Sequence, residues 1–167
     1  MKGELERARQ RMEEYLSGRG LKMASPWPEG ERKAVTQPVV VVTLRECRGE
    51  EGGFLRYLGE RFTGETGRWE EQYGCRAQLT FGLDLYAPAR GEGADLRGQW
   101  DVLAAALAGG SPEGMEVLSF SCGETEYDPA ARLRKGKGEV KCRLWLHAPG
   151  QDGVLFSDFI LRGDWKI

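Results

Sequence analysis

The sequence predicts an α+β fold, a mostly antiparallel β-sheet with two amphipathic helices packed on one face. Two stretches space apolar residues by three and four positions, as one stripe of a helix does. Others are rich in β-branched residues or alternate apolar with polar residues, as strands do. Connections such as residues 148–153 are too short for a crossover helix, so the later strands are expected to pair antiparallel. A length of 167 residues, 40% of them hydrophobic, suits a single α+β domain over residues 1–167.

The first half of the chain begins with a helix predicted over residues 4–16. Its apolar stripe consists of Leu5, Ala8, Met12, Tyr15 and Leu16. Several prolines follow, which favour extended or turning backbone. The first strand is predicted over residues 39–48, which open with four successive valines after Pro38.

Residues 49–74, the arm, are predicted to form a long glycine-rich loop. They contain seven glycines and no sustained period of two. A loop of this length inside a compact domain is uncommon and is usually functional. Five aromatic residues lie in it and need something to pack against, which is either their own sheet or another molecule. They are Phe54, Tyr57, Phe62, Trp69 and Tyr73.

The second half of the chain repeats the mixture of strands and a helix. Residues 77–86 alternate apolar and polar side chains, which is typical of a half-buried strand. A second helix is predicted over residues 94–108, ended by two glycines. Three further strands are predicted over residues 115–127, 139–147 and 154–161.

Composition and motifs exclude several classes of function. The 24 basic and 26 acidic residues give a formal net charge of -2, so no whole-chain attraction to nucleic acid is expected. No apolar run approaches the ~20 residues of a membrane span. The start of the chain also lacks the apolar segment of a secretory signal, so the protein is expected to stay in the cytoplasm that makes it. The four cysteines are widely spaced and His147 is the single histidine, so neither a metal nor another cofactor is predicted.

One catalytic constellation is conceivable. Cys122, in Ser-Cys-Gly-Glu, would be a nucleophile and His147 its base. The alternative is that Phe120 and Cys122 point inward from a strand while Glu124 faces water, and we favour this because nothing in the sequence places His147 beside Cys122. A small-molecule-binding module is a further alternative, but no polar constellation defines its site.

The distribution of charge is more informative than its total. Residues 132–143, the predicted basic hairpin tip, contain six basic residues and one acid. Residues 46–74 contain seven acids and four arginines. Both are solvated surfaces in one interpretation. In the other they meet on neighbouring copies, a head-to-tail contact that closes into a ring or continues as a filament.

Five segments carry a resemblance to a known family. They read FLRYLGE over residues 54–60, WEEQYG over 69–74, LTFGLDLYAP over 79–88, FSCGE over 120–124 and YD over 127–128. Over residues 39–147 the chain resembles tail proteins of bacteriophages and of phage-derived contractile particles. Within these it is most similar to the tail terminator, or tail completion, family.

The resemblance implies a structural protein of the virion or tail-like particle with no catalytic activity. It implies a homo-oligomeric ring, usually of six subunits, that caps the last ring of the tail tube protein and stops its growth. It also implies contact with the sheath or with the head connector. A head-tail joining protein or another minor tail protein of the same fold is the alternative.

The resemblance and the charge pattern together suggest roles for the arm and the basic tip. The arm would bind a neighbouring subunit or the tube, with Trp69 and Tyr73 as buried anchors. The basic tip would receive a neighbour's acidic arm or contact DNA in the lumen. The assembly residues so predicted are Phe54, Tyr57, Arg68, Trp69, Glu70, Glu71 and Tyr73 in the arm and Arg134, Lys135 and Lys137 in the tip.

Overall fold

Two helices and six strands make up the computed structural model, which describes residues 3–26, 35–50, 57–90, 95–129 and 132–147. The elements are α1 (Glu4–Gly18), β1 (Met23–Ala24), β2 (Val39–Gly49), β3 (Tyr57–Thr63), β4 (Arg68–Pro88), α2 (Leu96–Gly109), β5 (Met115–Asp128) and β6 (Leu133–His147). The predicted α+β class, mostly sheet with two helices, is confirmed. Phe54 and the strand predicted over residues 154–161 lie outside the described residues.

The strands are ordered β1-β2-β4-β6-β5, and β3 pairs with β4. The short β1 is parallel to β2. The β2–β4, β3–β4 and β5–β6 pairs are antiparallel. Strand β4 pairs with β3 through Arg68–Tyr73 and with β2 through Ala77–Tyr86.

The contacts group the chain into two compact units, residues 1–49 with 77–144 and residues 50–76 with 145–167. In the first unit, β2 buries its first four residues in succession and β4 buries nearly every residue from Leu79 to Ala87, as strands covered on both faces do. Strand β6 instead buries alternate residues. The unit's largest fully buried side chains are Phe81, Met12, Leu16, Leu79, Leu83, Leu85, Leu103, Val40, Val42, Val140 and Cys142. The single-domain interpretation stays a prediction.

A hydrogen bond joins the two helices, and a side chain caps the second. The Tyr15 hydroxyl of α1 donates to the Ala106 carbonyl oxygen of α2 at 2.7 Å. Asp95 caps α2, because its carboxylate accepts from the Gly98 backbone N–H at 3.0 Å. Neither helix, over the described part of the chain, has the length and apolar content that a membrane span requires.

The prediction of a long loop over residues 49–74 is wrong for most of its described part. Tyr57–Thr63 and Arg68–Tyr73 form an antiparallel hairpin, the β3–β4 hairpin. The alternation that reveals a strand arises when one face is buried, whereas the residues of β3 and of Arg68–Glu71 are exposed or half-buried throughout. A bulge between Tyr57 and Gly59 disturbs the pattern further.

The prediction of a basic hairpin tip is also corrected. Strand β6 begins at Leu133, six residues before the predicted strand, so the tip residues Arg134, Lys135 and Lys137 lie on the strand and not in a turn. The misleading signals were Gly136 and Gly138, which are typical of loops. Here the indole of Trp100 from α2 lies over both glycines, so close that a Cβ would meet its ring atoms at 2.7 and 2.8 Å.

Candidate assembly surface

The β3–β4 hairpin carries two pairs of aromatic side chains directly opposite each other. Phe62 and Trp69 pack edge to face, with 5.6 Å between ring centroids, and Tyr57 and Tyr73 do the same at 5.7 Å. Cross-strand aromatic pairs of this geometry stabilise a hairpin. They nevertheless leave much of their area exposed: 68% of Trp69, 53% of Phe62 and 45% of Tyr57 are accessible.

Strand register decides which arm residues share a face. Alternate residues of a strand point the same way, and antiparallel partners share a side. One face, the aromatic face, therefore consists of Tyr57, Glu60, Phe62, Trp69, Glu71 and Tyr73. The reverse face carries Arg61, Arg68 and Glu70. Four of the predicted arm residues are thus brought together, whereas Arg68 and Glu70 point away from them.

An acidic pair lies between the two aromatic pairs of the aromatic face. Glu60 is directly opposite Glu71, an arrangement that destabilises a sheet unless a cation or hydrogen bond offsets it. The Tyr73 hydroxyl donates to Glu71 Oε2 at 2.6 Å. This hydrogen bond is the main cause that raises the pKa of Tyr73 to about 12. Sequence reasoning missed Glu60, although its spacing of two from Phe62 would have placed both on one side of a strand.

The residues of the hairpin turn suit its backbone conformation and satisfy its hydrogen bonds. Gly67 has φ of +63°, in the left-handed region that glycine adopts at little cost. Its backbone N–H donates to the Thr63 carbonyl oxygen at 2.9 Å. The Thr66 hydroxyl donates to Glu70 at 3.1 Å on the reverse face.

In the second unit, Arg76 lies just beyond the hairpin and contacts residues from two other parts of the chain. The Arg76 guanidinium pairs with Glu50 at 2.8 Å and lies 5.9 Å from the ring centroid of Trp145. The Glu50 backbone N–H donates to the Arg76 carbonyl oxygen at 2.7 Å. A Cβ on Gly74 would overlap the Leu146 carbonyl oxygen, so the sheet admits only glycine here.

The predicted basic residues of β6 differ in how far they are neutralised within the chain. Lys137 pairs with Glu126 at 3.4 Å. The Lys135 ammonium lies 5.6 Å from the ring centroid of Tyr86, a cation–π contact. Arg134 is exposed opposite Tyr127, whose side chain is 58% accessible. No described carboxylate pairs with Arg134 or with the nearby Arg132.

The expectation that Phe120 and Cys122 point inward is wrong, because both lie exposed on β5. The surroundings of Cys122 nevertheless do not activate its thiol. Partial burial raises the pKa of Cys122, and the charge of Asp101 adds to the rise. An activated nucleophile needs the opposite change, because the thiolate is the reactive form. His147 lies exposed at the end of β6. Over the described ranges, no three His, Cys, Asp or Glu side chains are grouped as ligands of a metal ion.

Comparison with models of protein families and with curated proteins finds no match to this chain.

Proposed function

We propose that this protein is a structural subunit of a phage-type tail that assembles into a ring and caps or completes the tail tube. The ring has six copies, catalyses no reaction and needs no cofactor. It belongs to the virion or tail-like particle, built in the bacterial cytoplasm. One side binds the last tube ring, and the other meets the head connector or closes the end, without recruiting another tube ring.

The exposed aromatic face is the observation that carries the proposal. Two aromatic pairs on a polar hairpin present apolar area that monomers seldom expose together. Large aromatic side chains of this kind dominate the energies of protein interfaces. The proposal also draws on the resemblance to tail completion proteins described above. The proposed fold has both helices on one face of the sheet. The hydrogen bond from Tyr15 to Ala106 supports this arrangement, because it places the two helices side by side.

The state of Cys122 favours this structural role over a cysteine enzyme. A thiol whose pKa is raised is a poor nucleophile at neutral pH.

The experiment measures mass in solution and images the same sample by negative stain. We expect the wild type to form rings with a central hole that bind the ends of purified tail tubes. The F62S/W69S variant should remain folded and lose the rings. The matched control L5S/V102S removes two apolar residues that are 37% accessible on the helices and should keep them.

Two results would overturn the proposal. A strict monomer at high concentration with no affinity for tubes contradicts both the ring and the cap. Rings that purify with the head connector and never with the tube would indicate a head-tail joining protein instead.

A further inference from the structure

We propose that the aromatic face of the hairpin binds Arg132 and Arg134 of a second copy of this chain. The inference rests on the ring proposed above and specifies which two surfaces meet in it. The contact is head to tail, because the two surfaces differ, and a contact of this kind closes into a ring when its rotation allows.

Among the described residues, none places a cation at the centre of the aromatic face. Glu60 and Glu71 are opposite each other, and no described lysine or arginine lies within ion-pair distance of either carboxylate. Like charges directly opposite on two strands repel. A positive group from another molecule, placed between the two carboxylates, converts this repulsion into attraction.

The flanking rings make an arginine the best-fitting cation. A guanidinium is planar, bonds a carboxylate through two parallel N–H groups and stacks on aromatic faces. On this surface the carboxylates have the Phe62–Trp69 pair on one side and the Tyr57–Tyr73 pair on the other. An arginine side chain therefore meets both of its preferred partners at once.

Charge complementarity identifies the occupant as the start of β6 from another copy. Of the basic residues there, Lys137 is paired with Glu126 and Lys135 with the Tyr86 ring. Arg132 and Arg134 are exposed, and no described carboxylate pairs with either. Tyr127, opposite Arg134 on β5, adds an exposed ring that can pack on the hairpin's aromatic residues.

A charge-reversal series tests the pairing. The variants E60K/E71K and R132E/R134E should each raise the concentration for half-assembly by about thirtyfold or more, as loss of a close interfacial charge pair does. The variant with all four substitutions should recover assembly, because the charges are again complementary. The control E65K/E113K makes the same charge change at two exposed acids, one in the hairpin turn and one just before β5, and should assemble as the wild type does.

Each result has a separate meaning. A wild type that never forms rings overturns the proposed function, and this inference with it. Wild-type rings that persist in E60K/E71K overturn the inference alone, as does failure of the fourfold variant to recover. Circular dichroism establishes that each variant is folded. If E60K/E71K does not fold, E60Q/E71Q replaces it and should still weaken assembly measurably, since it removes the charges without reversing them.

Discussion

At the scale of a single residue, the pKa of the Tyr73 phenol depends on the geometry of the aromatic face. Its hydroxyl donates to Glu71, and this raises its pKa to about 12. The folded state therefore holds this proton at higher pH than the unfolded chain, whose tyrosines titrate near pH 10. The associated stability is present below about pH 10 and is lost as the pH rises from there to about 12.

Glu71→Gln should lower the pKa of Tyr73 toward the ordinary tyrosine value, because the hydrogen bond to a charged acceptor is lost. Absorbance of the tyrosinate during a pH titration, referenced to a Tyr73→Phe variant, measures the shift. Glu70→Gln is the matched control, since Glu70 lies on the reverse face and should leave Tyr73 unchanged. Equal titration of Tyr73 in the wild type and in Glu71→Gln would contradict the hydrogen bond.

Among the helices and strands, the sequence pattern predicts an element where at least one of its faces is buried. It gives no signal where both faces are exposed. The apolar stripe predicted α1 over residues 4–16, and the helix spans Glu4–Gly18. The valine run predicted a strand over 39–48, and β2 spans Val39–Gly49. Strand β3 was not predicted, because all its residues are exposed or half-buried. The start of β6 was not predicted, because its glycines are typical of loops.

Close packing of α2 on β6 makes Gly138 a sensitive position. Its Cβ would lie 2.8 Å from the Trp100 ring and 2.9 Å from the Leu83 carbonyl oxygen. Gly138→Ala should therefore lower the free energy of unfolding by about 1–3 kcal/mol, as overpacking does. Urea denaturation measures the change. Gly109→Ala, at the end of α2 with nothing within 4 Å, is the control and should be neutral or slightly stabilising. A neutral Gly138→Ala would show that the indole can move away.

The start of α2 has a side-chain cap from Asp95. Its carboxylate accepts from the Gly98 N–H, which belongs to the first turn, where N–H groups lack intrahelical partners. Asp95→Ala should cost about 1 kcal/mol of unfolding free energy, and Asp95→Ser should retain most of the stability. Thermal unfolding of both variants gives the comparison. If alanine and serine destabilise equally, the helix start does not rely on the cap.

For the whole molecule, the net charge gives no sign of an assembly surface. The distribution of charge and the strand register do indicate one. The arm's aromatic residues were predicted from the sequence as an assembly surface, but the sequence could not show that Glu71 faces them and Glu70 does not. That distinction follows from strand alternation, which applies only once residues 68–73 are known to form a strand. The position of Glu60 opposite Glu71 requires, in addition, the pairing of β3 with β4. The same holds for Arg134, since its availability follows from which β6 neighbours are already paired.

Ring assembly that joins an acidic, aromatic surface to two arginines should weaken with salt without being abolished. Raising ionic strength from about 0.05 M to about 0.5 M shortens the screening length and attenuates the charge attraction, while burial of the aromatic rings is little affected. The concentration for half-assembly, measured by light scattering without DNA, should therefore rise in the wild type. It should change much less in E60Q/E71Q, which lacks the central carboxylates. Salt sensitivity that appears only when DNA is added would instead assign the arginines to phosphate contacts in the lumen.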